Sequence, residues 1–125
     1  MKVRKKIGAI AIVSMLLIGS IQVVYANSVN VTMAGVDINA SSSISTYGGY
    51  ATTTYGNLGS TAVSATYNYK HYITGNHKGS YSNSSSGVNV ATVSFSAPSE
   101  CVSESISASH SVSYQGQYWS GYTYN

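Results

Sequence analysis

Hydrophobic and polar positions alternate along most of the chain after its first 26 residues. The segment 102–114, VSESISASHSVSY, has serine at every second position and mostly apolar residues between the serines. NSVNVTM, GVDINA and TAVSATYNYKHY follow the same period of two. Such alternation is typical of strands with one face buried and the other in water. Because no segment beyond residue 26 shows the helical period, we expect an all-β fold.

Glycine-rich segments separate the alternating stretches and predict turns between strands. In GVNVATVSFSA the apolar positions change parity after Val90, which predicts a β-bulge near residues 91–92. Together these signals predict a small antiparallel β-sandwich of about seven strands. The expected turns are Gly48–Gly49, GNLG from Gly56, GNHKG from Gly75, and SNSSSG up to Gly87.

The serine-rich strand is expected to turn back at Gln115–Gly116 into a second strand, QYWSGYTY. A three-residue turn would exchange the two faces of this hairpin, because a one-residue slip moves every side chain to the other face. We favour a two-residue turn, since it buries Trp119 against Val112. The inner pairs are then Val112 with Trp119, His110 with Gly121 and Ala108 with Thr123, and the outer pairs are Ser113 with Tyr118, Ser109 with Tyr122 and Ser107 with Tyr124.

The first 26 residues have the pattern of a secretory signal peptide. The basic start MKVRKK precedes a long apolar run, and small residues end the segment at Ala26. An uncleaved anchor is the alternative, but no basic cluster follows Ala26. We therefore expect a cleaved signal peptide at 1–26, one secreted domain at 27–125, no stable membrane anchor after cleavage, and a bacterial origin.

Cleavage would change the charge of the protein. The whole chain carries a net charge of +3, but four of its six cations lie before Ala26. The remainder has Lys70 and Lys78 against three carboxylates, which gives a net charge of −1. Because nucleic-acid binding needs clustered Lys and Arg on the folded surface, this composition argues against a nucleic-acid partner.

Large aliphatic side chains are few in the 99 residues after the signal segment. Val, Ile, Leu, Met and Phe together number 16, and 11 tyrosines and Trp119 add to them. Tyrosine rings bury about 150–250 Å² each, so we expect them to complete the core. The single Cys101 is expected to be a buried small hydrophobe, with an intermolecular disulfide as the alternative.

Catalytic and metal-binding groups are scarce beyond residue 26. Three acidic residues and three histidines leave little material for paired carboxylates or a Ser-His-Asp set, so we expect no enzyme and no cofactor. His71 and His77 with Asp37 are a candidate zinc set, but nothing in the sequence fixes their geometry, so we expect exposed loop histidines and no metal. Glu104 and His110 share the inner parity of one strand, about 20 Å apart, so they do not touch.

The candidate binding site is the outer face of the last hairpin. Tyrosine and serine are common in adaptable binding surfaces, and the residues that we select are Tyr118, Tyr122, Tyr124, Ser109 and His110. For His110 the alternative role is a hydrogen-bonded core histidine. We expect a secreted, non-enzymatic binding module at the cell surface, whose partner is a cell-wall glycan or a surface protein.

Two other functions fit the same sequence. One is a secreted antagonistic or membrane-active protein, since the chain is similar in composition to the small β-sandwich bacteriocins of the lactococcin type. That likeness lies in composition alone, so no functional residue is carried over. The other is a self-assembling matrix protein, because alternating polar and aromatic segments with little charge favour self-association.

We predict that the exported protein begins at Asn27, because the small residues ending at Ala26 follow the apolar run. N-terminal sequencing or intact mass of protein from the culture medium measures this directly. Recovery of the full-length chain from the membrane fraction would contradict the prediction.

Overall fold

The computed structural model describes residues 27–125, and the predicted signal peptide lies outside these residues. The described chain contains eight strands and no helix, so it holds no helix long and apolar enough to cross a membrane. The all-β prediction is confirmed. The strands are β1 (Ser28–Met33), β2 (Val36–Ser45), β3 (Gly48–Tyr55), β4 (Ser60–His71), β5 (His77–Val88), β6 (Val90–Ser96), β7 (Cys101–Tyr114) and β8 (Gln117–Tyr124).

The strands form two antiparallel sheets of four strands each, packed face to face. Sheet 1 has the order β1-β2-β3-β6, and sheet 2 has the order β5-β4-β7-β8. The chain passes between the sheets three times, from β3 to β4, from β5 to β6 and from β6 to β7. Eight strands are present where about seven were expected.

The additional strand is β5, which contains the segment SNSSSG that we expected to be a turn. Its serines continue the antiparallel pairing with β4, for example Ser84 opposite Ser64 and Ser82 opposite Thr66. β5 lies at the edge of sheet 2, and most of its residues are exposed on both faces. The turn prediction was wrong because an edge strand with no buried face needs no apolar alternation.

The apparent parity change after Val90 does not come from a bulge at residues 91–92, since β6 pairs regularly with β3. Val88 and Val90 are both exposed, at 59% and 50%, so their alternation does not mark a buried face. β5 ends at Val88 and β6 begins at Val90, so Asn89 alone forms the corner, with φ at 71°. Asparagine tolerates this left-handed conformation better than most residues. The Asn89 side-chain amide donates to the carbonyl oxygens of Tyr55, at 3.3 Å, and of Asn57, at 2.5 Å. These two hydrogen bonds hold the corner against the end of β3 and the loop that follows it.

Two other expected turns begin elsewhere in the structure. The turn before β3 is formed by Thr46 and Tyr47, and Gly48–Gly49 already lie in the strand. A Cβ at Gly48 would lie 2.6 Å from the carbonyl oxygen of Phe95, so this glycine allows β3 and β6 to approach closely. His77, which we placed in the turn after β4, is the first residue of β5. Gly48 and Gly49 thus mark the start of a strand, whereas Gly75, with φ at 74°, does lie in the loop between β4 and β5.

The space between the sheets holds two apolar clusters. The first joins β1 and β2 to the β7–β8 hairpin, and the second joins β3 and β6 to β4 and the first half of β7. Alternate residues of each strand supply both clusters, as the period of two requires. The first cluster is Val29, Val31, Met33, Ile38, Ala40, Tyr55, Val112 and Trp119. The second is Ala51, Val63, Ala65, Tyr67, Ala91, Val93, Ile106 and Ala108.

The register of the β7–β8 hairpin agrees with the two-residue turn that the sequence favoured. Val112 lies opposite Trp119, His110 opposite Gly121 and Ser109 opposite Tyr122. Both turn residues have positive φ, 47° at Gln115 and 80° at Gly116. This combination is the type I′ turn, whose twist matches that of the flanking strands.

Trp119 is the largest buried side chain of the first cluster, with 1% of its surface exposed. A Cβ at Gly121 would lie 2.7 Å from its indole ring, so the glycine leaves room for Trp119. The indole Nε1 has no hydrogen-bond partner among residues 27–125. The ring therefore contributes through apolar burial alone.

Replacement of Trp119 with Ala is expected to lower the free energy of unfolding by about 3–5 kcal/mol, because it removes a buried aromatic ring and leaves a cavity. Replacement of Ser109 with Thr on the outer face is the control, with an expected change of a few tenths of a kcal/mol. Denaturant unfolding measures both. A large loss at Ser109 with a small one at Trp119 would contradict the observed register.

Candidate functional site

The outer face of sheet 2 is a continuous surface of hydroxyl groups, which we call the serine face. One row across the sheet is Ser84, Ser64, Ser109 and Tyr122, in the order β5, β4, β7 and β8. Rows are separated by about 6.6 Å along the strands and neighbours by about 4.8 Å across them. The other rows are Ser82–Thr66–Ser107–Tyr124, Ser86–Ala62–Ser111–Ser120 and Val88–Ser60–Ser113–Tyr118.

A shallow open groove of about 600 Å³ runs over the centre of the serine face. Tyr118 and Tyr122 form its wall on the β8 side and are 45% and 40% exposed, and Tyr124 continues the same ridge at 36%. None of the residues that line the groove is Asp, Glu, Lys or Arg. The floor is formed mainly by Ser64, Ser84, Ser86, Ser109, Ser111 and Ser120.

The hydroxyls of the groove make few contacts within the protein. Of its serines, only Ser109 donates a side-chain hydrogen bond within residues 27–125, a long one of 3.5 Å to the carbonyl oxygen of Ser64. Outside the groove the same face is paired, since Thr66 and Ser82 hydroxyls lie 3.0 Å apart and the Asn68 amide donates to Ser105 at 2.9 Å. A serine hydroxyl can both donate and accept. The groove therefore offers bonding capacity to a ligand.

The imidazole of His110 lies on the other side of the sheet from the groove. Only 1% of His110 is exposed, and its ring is held between two threonines in the space between the sheets. The distances are 2.8 Å from Nδ1 to Thr53 Oγ1 and 2.7 Å from Nε2 to Thr123 Oγ1. The structure thus brings Tyr118, Tyr122, Tyr124 and Ser109 together on one surface and places the His110 side chain beneath it.

The hydrogen bonds around His110 identify its tautomer. Thr53 Oγ1 donates to the carbonyl oxygen of Ala62 at 3.0 Å, so it must accept from His110, and Nδ1 carries the proton. Nε2 then accepts from the hydroxyl of Thr123. Both ring nitrogens are satisfied in the neutral form, and burial lowers the pKa of His110 from 6.5 to about 4.

Glu104 does not have the inner position that its parity predicted. The pairing of β4 with β7 shifts between Asn68, opposite Ser105, and Tyr69, opposite Ser103, so Glu104 is the additional residue of a β-bulge. Its exposed carboxylate lies 2.7 Å from Nδ1 of His77 on β5. The expectation was wrong because a bulge reverses parity without a signal in the sequence.

The residues considered for zinc are not brought together. The backbone N–H of Gly56 donates to the carbonyl oxygen of Asp37, which places Asp37 near the start of β4. His71 is the last residue of β4, 11 residues after Ser60. At the usual rise per residue of a strand, the two ends of β4 are roughly 36 Å apart. Among residues 27–125, no three His, Cys, Asp or Glu side chains are close enough to hold a metal ion.

Cys101 is buried and has a free thiol.

Sequence reasoning missed the half of the groove that lies on β4 and β5. Alternation in TAVSATYNYKHY placed Ser64 on an outer face, but it did not show that this face adjoins Ser109. Ser84 and Ser86 were not assigned to the binding face, because their segment was expected to be a turn. The pairing of distant strands was the missing information.

No family model, curated protein or solved structure matches this chain. The function of the groove is therefore inferred from its geometry and chemistry.

The buried His110 is expected to make stability depend on pH. Because the folded pKa of about 4 lies below the unfolded value of 6.5, stability is fully present above pH 6.5 and falls as the pH drops toward 4. The loss is about 3 kcal/mol. Urea unfolding at several pH values measures it. The variant His110→Gln should lose this slope, whereas the matched change at the exposed His77 should retain it; an equal slope in both variants would contradict the assignment.

Proposed function

We propose that this protein is a secreted, non-enzymatic binding module, whose serine face takes an uncharged, polyhydroxylated ligand such as a segment of cell-wall glycan. The observation that carries this proposal is the groove itself. Serines from all four strands of sheet 2 form its floor, and Tyr118 and Tyr122 form one wall. A surface protein that presents neutral polar groups is the alternative partner.

The chemistry of a sugar chain suits this combination of residues. Each sugar ring has hydroxyls around its edge, which can exchange hydrogen bonds with serine hydroxyls that act as both donor and acceptor. The C–H faces of the ring are apolar and can lie against an aromatic side chain such as Tyr122. Because tyrosine is rigid, little conformational entropy is lost when a ligand orders it.

The absence of charge in the groove limits the class of ligand. No Lys or Arg lines it, so a phosphorylated or otherwise anionic ligand would find no counter-charge. No Asp or Glu lines it either, so a cationic ligand would find no partner. A neutral polar ligand therefore loses the least solvation free energy when it moves from water to this surface.

The same composition supports a role in binding without catalysis. Apart from His110, the residues that line the groove are Ser, Tyr, Ala, Val and Gly. The ring of His110 has both nitrogens bonded to threonines on the buried side of the sheet. General acid–base catalysis needs a proton donor or acceptor within hydrogen-bond reach of the substrate. The groove residues offer no such group with an ordinary pKa near neutrality.

A membrane-active antagonist has less support from the surface. The most exposed large apolar side chains are Leu58 at 77% and Ile73 at 71%, and they lie in the loops at opposite ends of β4. Contact with a membrane needs a contiguous apolar patch. A growth-inhibition assay with purified protein on neighbouring bacteria separates this function from glycan binding.

We predict that the protein co-sediments with insoluble neutral polysaccharide or purified peptidoglycan. Tyr122→Ala should weaken this binding about tenfold or more, because it removes the exposed ring that lies beside Ser109. Tyr50→Ala is the matched control, since Tyr50 is 47% exposed and lies between Ser43 and Ser94 on the outer face of sheet 1. Equal loss in both variants, or no binding by the unmodified protein to any glycan tested, would refute the proposal.

A further inference from the structure

The outer edge of β5 is the longest free strand edge in the described part of the chain. β5 has 12 residues, whereas the other edge strands, β1, β6 and β8, have 6, 7 and 8. A free edge exposes unpaired backbone N–H and C=O groups, and these can bond to another strand. Short length, charge, proline or a bulge normally protects such an edge.

Residues 79–88 of β5 carry none of these protections. The segment GSYSNSSSGV contains no charged residue and no proline. Its pairing with β4 is regular from Gly79 to Val88, and the only register shift lies before Gly79, next to Lys70. The strand is also exposed on both faces, with Tyr81 at 41% and Val88 at 59%. The backbone N–H of Ser84 donates to Oδ1 of its neighbour Asn83 at 2.9 Å, and this local hydrogen bond has to open when another extended strand pairs along the edge.

We propose that the β5 edge pairs in antiparallel fashion with β5 of a second copy of this chain. Lys78 is the only Lys, Arg, Asp or Glu of the strand. Parallel pairing in register would place the two Lys78 side chains together, and like charges directly opposite are destabilising. Antiparallel pairing places them at opposite ends, so the strand is complementary to itself.

The register follows from the requirement that paired side chains lie on the same face. The two-fold arrangement that puts Asn83 opposite its own copy pairs residues 79–87, all of which lie in the regular part of β5. Lys78, the additional residue at the register shift, then lies beside Val88 of the other copy, and its alkyl stem can cover that exposed side chain. Tyr81 lies opposite Ser85. This register leaves no charged residue opposite another.

Pairing of this kind joins two copies of sheet 2 into one eight-stranded sheet. The serine faces of both copies then form one surface, with two grooves on the same side. A long repetitive ligand could occupy both grooves, which raises the effective affinity without any new contact. The pairing itself needs no ligand, so it stands or falls independently of the proposed glycan binding.

The association is expected to be weak and dependent on concentration. A single pair of strands buries less than the roughly 1,200 Å² that is typical of stable interfaces. Sedimentation velocity on protein purified from cells that express the full chain, from low micromolar to millimolar concentration, should show a monomer–dimer equilibrium.

Two opposite charges at the two-fold position give a direct test. Asn83→Lys and Asn83→Asp should each weaken dimerisation about fivefold or more, because each places like charges opposite one another. An equimolar mixture of the two variants should recover or exceed the unmodified affinity. Asn39→Lys is the matched control, since Asn39 is exposed on β2 with strands paired on both sides, and it should leave dimerisation unchanged.

The following results would overturn the proposal. They are a monomer at every concentration, an Asn83→Lys variant that dimerises as the unmodified protein does, and a mixture of the charged variants that fails to recover. Loss of dimerisation in Asn39→Lys would equally count against the β5 edge. Glycan co-sedimentation of the Asn83→Lys monomer tests the groove separately, because Asn83 lies outside the residues that line it.

Discussion

The buried imidazole of His110 makes a polar contact between the two sheets at the centre of the core. His110 belongs to sheet 2, and it bonds to Thr53 of sheet 1 and to Thr123 of its own sheet. A buried polar group without a partner costs about 1–3 kcal/mol, so this contact favours the packing that brings Thr53 to Nδ1 of His110. The contact lies between the two apolar clusters, and β7 supplies residues to both, for example Ile106 and Val112. A single strand thus links the whole core.

The composition of the outer surface follows from the small number of large aliphatic residues in the chain. Strands whose inner faces take most of the large aliphatic side chains leave serine, threonine and many tyrosines outside. The formal charge beyond residue 26 is only −1. Hydroxyl groups keep this surface hydrated. Because they carry no charge, they cause no electrostatic repulsion between copies of the protein. That combination makes the groove a surface for neutral ligands, and it leaves the edge of β5 without the charges that usually keep strands apart.

Predictions from sequence succeeded where a buried face imposed a pattern. The β7–β8 register was recovered because only one register buries Trp119, and the type I′ turn at Gln115–Gly116 agrees with it. Predictions failed where no face was buried, as in β5, where a bulge changed the parity, as at Glu104, and where apolar residues are exposed, as at Val88 and Val90. The part of the candidate groove on β5 was missed for the first of these reasons.

By itself the sequence determined the all-β class, the inward and outward faces of most strands, and the hairpin of Ser109 with Tyr122. These are local properties, because they depend on side chains within one strand or across one short turn. The tertiary structure alone decided that β4 lies between β5 and β7, which places Ser64 and Ser84 beside Ser109. It also decided that His110 faces Thr53 across the sandwich. Such neighbours come from distant parts of the chain, and many pairings of alternating strands satisfy the same period of two.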